Sequence, residues 1–123
     1  MVMAKVESFE DLWIWKEARV LVKQIYSDFA KNTSGGRDYG FCSQIQRAGI
    51  SIMNNIAEGF ERSTDTEKAR FLDIAKGSCG EVRSLYHVAE DLDYISAETV
   101  QQRCEACRKI ARGISSLASH LRS

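Results

Sequence analysis

Proline is absent from all 123 residues, so no rigid ring forces a helix in this chain to break. Net charge is absent as well: 17 lysines and arginines balance 17 aspartates and glutamates, which removes any bulk attraction to a phosphate backbone or an acidic membrane. Contact with nucleic acid must then come from local patches. No apolar run approaches the roughly 18 to 20 residues that span a bilayer. Met1-Val2-Met3-Ala4-Lys5 leads straight into a charged stretch with no secretion core. A soluble, cytoplasmic protein with no membrane partner is expected. Cysteines number four, at helical core spacings in a chain too large to need stapling, and are read as reduced thiols. What is present, 44% apolar and 28% charged residues, suits one compact domain over residues 1–123 and excludes a disordered tail or a multidomain enzyme.

Breaker residues divide the chain into four segments whose apolar residues recur at spacings of three and four, the helical period. The expected helices cover about 9–31, 38–61, 65–94 and 97–121. Ser8, Thr64 with Glu67, and Ser96 are placed to cap the first, third and fourth. The expected inner faces are Leu12, Trp15, Ala18, Val22, Ile25 and Phe29, then Phe41, Ile45, Ala48, Ile52, Ile56 and Gly59. On the third and fourth helices they are Phe71, Ala75, Ser78, Val82, Leu85, Ala89 and Leu92, and Val100, Cys104, Cys107, Ala111, Ile114, Ala118 and Leu121. With short joints between long amphipathic helices, the expected fold is all-α, an antiparallel up-down-up-down four-helix bundle.

The second helix stands apart. At 100° per residue its apolar side chains, including Ile50, Met53, Ala57 and Phe60, spread over roughly 200°, about twice what a small isolated bundle buries. The remaining stripe, Gln44, Arg47, Ser51, Asn54, Asn55, Glu58 and Arg62, is rich in amides. Two apolar sides and a narrow polar stripe point to a helix that also packs on another subunit; covering a groove within the monomer is the alternative.

Catalytic constellations are missing by motif. Cys104-x-x-Cys107 has metal-ligand spacing but no second pair of ligands, and both cysteines sit on the apolar seam of the fourth helix, where a small hydrophobe fits. His87 and His120 have no nucleophile or orienting acid nearby, and Gly35-Gly36 lacks the lysine and strand of a phosphate loop. Trp13 and Trp15 sit among apolar neighbours, which favours packing over base stacking. No cofactor, no metal and no catalytic residue is expected. Charge is uneven, with residues 96–123 at +3 and residues 63–95 at −3, and solvated faces with some pairing between helices are the plain account of it.

The runs Tyr39-Gly40-Phe41, Gln44-Ile45-Gln46-Arg47-Ala48, Ser51-Ile52, Asn54-Asn55-Ile56-Ala57-Glu58-Gly59-Phe60 and Arg62 resemble the signature of the four-helix-bundle proteins encoded in intervening sequences of 23S ribosomal RNA genes. Phe9, Leu12, Trp15, Ala18, Ile25 and Tyr26 resemble that family's first helix. Glu67, Phe71, Leu72, Ile74-Ala75-Lys76-Gly77-Ser78, Glu81 and Leu85 resemble its third. Departures are Met53 in place of a frequent proline, Gln46 in place of a basic residue and Cys79 in place of leucine.

The resemblance implies a small bacterial bundle that assembles as a ring, typically a homopentamer, and is no enzyme. It extends to accessory proteins of retroelements, pentameric barrels that bind nucleic acid and partner a reverse transcriptase. It directs attention to Asn54, Asn55, Glu58, Gly59 and Arg62 as a subunit contact or shared binding surface, although the same residues suit capping of the second helix against the third. The leading expectation is a homo-oligomer that turns Lys16, Arg19, Lys23, Arg103, Arg108, Lys109 and Arg112 toward structured RNA or DNA. The alternative is an adaptor or scaffold that binds a protein partner and no nucleic acid.

Overall fold

A computed structural model describes residues 6–123; Met1–Lys5, read above as carrying no leader, lies outside the described residues. After a 3-10 turn at Phe9–Asp11 come α1 (Trp13–Asp28), a second 3-10 turn at Gly35–Arg37, α2 (Tyr39–Glu61), α3 (Asp65–Asp91) and α4 (Ala97–Arg122). No strand occurs among the described residues. Each helix packs on its neighbours in sequence, and α4 closes the ring on α1. Contacts run in opposite directions along each pair. Ile14 meets Gly113 while Asp28 meets Arg103, and Ser51 meets Ser78 while Gly59 meets Phe71. That is the expected antiparallel bundle.

Local chemistry sets most boundaries. Asp38 accepts the Phe41 amide at 3.2 Å, Thr64 Oγ1 accepts the Glu67 amide at 3.2 Å, and Ser96 Oγ accepts the Thr99 amide at 3.1 Å. Three ends differ from expectation. α1 begins at Trp13 rather than near 9, because Ser8 and Asp11 close a 3-10 turn over Phe9–Asp11 and Leu12 is extended before the helix starts. α1 stops at Asp28 rather than near 31, because Thr33 Oγ1 donates to Ala30 O at 2.6 Å and accepts the Gly36 amide at 3.0 Å, turning the chain back. Gly36 then lies so close to Ala30 O that no side chain fits. α3 stops at Asp91 rather than 94. Asp93 takes φ 58°, and the amides of Asp93 and Tyr94 return to Glu90 O and Ala89 O, a left-handed helix stop carrying aspartate where glycine is usual.

The core runs the length of the bundle, from Ile14, Leu21 and Ile25 on α1 to Ile45, Ile52 and Ile56 on α2, Val82 and Tyr86 on α3, and Ile110 and Ile114 on α4. The inner face expected for α2 is buried throughout. The other three faces keep most of their expected residues and differ at single positions. α1 buries Ile14 and Leu21, with Leu12, Trp15 and Val22 only half-buried; α3 buries Tyr86 in place of Leu85 and leaves Leu92 exposed; α4 buries Ile110 in place of Ala111. Except at Leu92, which lies just past the end of α3, two adjacent residues are apolar, so periodicity does not decide which turns inward.

Candidate functional site

Along α2, Ile50, Met53, Ala57 and Phe60 follow one another at spacings of three, four and three, and all four are half-buried. They form a continuous apolar ridge beside the core-filling side of the helix, with Met53 also packed against the core. The signature residues flank it. Asn54 and Glu58 are exposed, whereas Asn55 donates to Ser51 O at 2.8 Å and Ser51 Oγ at 3.0 Å, and Ser51 Oγ meets the buried Ser78 Oγ at 2.8 Å. Gly59 is buried where α2 crosses α3; a Cβ there would lie 3.1 Å from Phe71 Cβ. Arg62 lays its guanidinium over the Phe71 ring at 4.5 Å, and Lys68 Nζ donates to Phe60 O at 2.7 Å, satisfying a carbonyl at the end of α2. Asn55, Gly59 and Arg62 thus have partners within the monomer.

The bundle divides the expected basic residues into three groups. Lys16, Arg19 and Lys23 form an exposed row on α1 with no ion pair among the described residues. Arg19 rests over the Trp15 ring at 5.6 Å. On α4, Arg108 and Arg112 share the single carboxylate of Glu105 at 3.6 and 3.2 Å, and Lys109 reaches Glu17 at 3.3 Å beside the half-exposed Trp13. Glu17 and Lys16 are successive residues, about 100° apart on the helix, so the α1 row and the α4 group occupy different flanks.

Arg103 is a correction to the expected patch. Its Nε and Nη2 donate to the two carboxylate oxygens of Asp28 at 2.8 and 3.0 Å, and the Tyr86 hydroxyl donates to the same carboxylate at 2.7 Å. The ion pair is largely buried, with 16% of the Arg103 and 10% of the Asp28 side chain exposed. The hydrogen bond to Asp28 raises the Arg103 guanidinium above its ordinary pKa; burial, then the Asp28 charge, raises the Tyr86 phenol. This triad ties α1, α3 and α4 together.

A second polar lock was also not legible in the sequence. Tyr94 donates its hydroxyl to Asp38 at 2.7 Å, so one carboxylate caps α2 and anchors the α3–α4 turn. Those two hydrogen bonds, Tyr94 first and the Phe41 amide second, hold the Asp38 carboxyl below its usual range.

The four cysteines are buried thiols. Burial pushes Cys79 and Cys107 up to about 12 and raises Cys42 and Cys104, leaving all four as poor nucleophiles. His87 is exposed, its Nε2 lying 3.8 Å from Cys104 Sγ and its Nδ1 3.8 Å from Glu90. No group of three metal-ligating side chains is assembled among the described residues, and no helix is long and apolar enough to cross a membrane.

Fold and surface together define a four-helix bundle whose distinctive features are an apolar ridge and exposed cations. The family model described as 23S rRNA-intervening sequence protein matches residues 10–116, and the chain belongs to that family. Its fold is shared by a crystal structure of a protein of unknown function from the S23 ribosomal protein family of Bacteroides thetaiotaomicron. The two superpose with a TM-score of 0.79 at 18% identity, over 85% of this chain and 97% of the other. Neither description names an enzymatic activity. No curated protein matches the chain.

Proposed function

We propose that this chain is a non-catalytic, cytoplasmic homo-oligomer, a pentamer in its working form, that binds structured RNA or DNA through cations repeated on every subunit. The observation that carries the reading is the half-buried ridge Ile50, Met53, Ala57 and Phe60, on a helix that already fills the core with its neighbouring side. A second copy would bury that ridge, and repetition would turn the weak α1 row of Lys16, Arg19 and Lys23 into a multivalent surface. The α4 group adds one cation in excess for each Glu105. Arg103 has no part in it.

Size exclusion with light scattering, read at 260 and 280 nm across the same peak, tests the proposal. A pentamer with excess 260 nm absorbance that salt strips away supports it; a monomer overturns it. Charge reversal of Arg108 and Arg112 together is expected to weaken binding in a salt-dependent way without unfolding the chain. Unchanged binding would remove α4 and leave the α1 row.

One observation favours the adaptor reading. A cavity of about 230 Å³ at one end of the bundle is lined by Leu12, Phe60, Leu72, Leu117 and Leu121. An apolar anchor from a protein partner, such as the reverse transcriptase that the resemblance implies, would fit there. A clean pentamer free of nucleic acid would favour this reading.

A further inference from the structure

Beyond the basic rows, one groove of the molecule combines aromatic faces with unpaired cations. It lies between the C-terminal part of α1 and the first half of α2, with a volume of about 400 Å³, within the range of roughly 300 to 1,000 Å³ usual for ligand clefts. Tyr26 and Tyr39 line it, 46% and 78% exposed, and Ile50 at one end of the α2 ridge lines it too, so the groove opens beside the proposed subunit contact. Neither ring packs on another aromatic ring among the described residues. Lys31 and Arg47 also line it, neither in an ion pair among the described residues, and Ser43 and Gln46 add hydroxyl and amide groups. No carboxylate lines the groove. The nearby acids are engaged elsewhere, Asp28 by Arg103 and Asp38 by Tyr94. Tyr26 also continues the exposed α1 row, since Lys16, Arg19, Lys23 and Tyr26 follow at spacings of three, four and three. A backbone tracking those cations would arrive at the groove.

We propose that this groove takes an unstacked base of single-stranded nucleic acid, with Tyr39 and Tyr26 as stacking faces and Lys31 and Arg47 holding the flanking phosphates. Aromatic faces beside cations, with no opposing acid, match a single strand; a duplex keeps its bases stacked inside and offers tyrosine nothing to stack on. The inference rests on the nucleic-acid reading above and narrows it to a form of ligand.

Fluorescence anisotropy on the full chain, using a labelled oligouridylate of about 12 nucleotides and a blunt RNA duplex of about the same length, tests it. Stacking on one aromatic is worth about 5- to 150-fold in affinity. Tyr39→Leu and Tyr26→Leu are each expected to weaken single-strand binding by at least about 5-fold while leaving duplex binding within about 2-fold. Both residues are exposed enough for the variants to fold. Lys31→Gln with Arg47→Gln should flatten the salt dependence for the single strand.

Unchanged single-strand affinity in the tyrosine variants overturns the inference, as does an equal loss for both probes. Dissociation of the oligomer in Tyr39→Leu, seen by light scattering, would also overturn it and make the groove a subunit contact. Wild-type protein that binds the duplex alone removes only the groove; protein that binds neither probe removes the nucleic-acid reading with it.

Discussion

Replacing Arg103 by methionine tests whether the buried triad or a ligand claims this residue. Methionine keeps much of the side chain's bulk and removes the two donors that hold Asp28, which leaves that carboxylate with the Tyr86 hydroxyl as its side-chain partner among the described residues. Breaking a fully buried ion pair from one side costs about 3 to 5 kcal/mol; with 16% of the Arg103 side chain exposed, the lower end applies, about 3 kcal/mol. Against a total stability of about 5 to 15 kcal/mol this is a large fraction. With an unfolding entropy near 2.1 cal/mol/K per residue, it lowers Tm by about 12 °C. The assay is thermal and urea unfolding followed by far-UV circular dichroism, at one fixed protein concentration because assembly shifts Tm. Adding Asp28→Asn to the same chain should recover about 1 to 2 kcal/mol, since the stranded charge carries much of the cost. Nucleic-acid affinity of folded Arg103→Met should match wild type. A loss below about 0.5 kcal/mol together with weakened binding would refute the assignment and return Arg103 to the binding surface.

Two further predictions concern the fold. Because the Asp38 carboxyl sits below its ordinary value of 3.8, it contributes stability above that pH that is lost as pH falls through its lower folded value. Asp38→Asn keeps a capping side chain but removes the charge, so its deficit in urea midpoint should be clear at about pH 6 and close by about pH 2; an equal deficit at both would sink the account. Gly36→Ala and Gly77→Ala should move stability in opposite directions. A Cβ at 36 would overlap the Ala30 carbonyl, which is backbone and cannot turn aside, and costs about 1 to 3 kcal/mol, whereas nothing lies within 4 Å of a Cβ at 77, which gains about 0.5 to 1 kcal/mol. Urea midpoints decide it, and shifts of the same sign would contradict the packing described.

Bundle architecture, three of the helix starts and the inner face of α2 were legible in the residues, because they depend on chemistry within three or four positions. Asp38, Thr64 and Ser96 each cap an amide three residues on. The half-buried apolar ridge of α2 was legible for the same reason: helical geometry alone places Ile50, Met53, Ala57 and Phe60 in line. Tertiary structure alone decided the rest. Whether Tyr86 or Leu85 turns inward depends on a carboxylate 58 residues away, and Arg103 leaves the basic surface because that same Asp28, 75 residues away, takes its guanidinium. The division of Lys16, Arg19 and Lys23 from Arg108, Lys109 and Arg112 follows from how α4 closes on α1. Periodicity records which residues share a face of one helix; which face meets which neighbour is set by packing across the bundle.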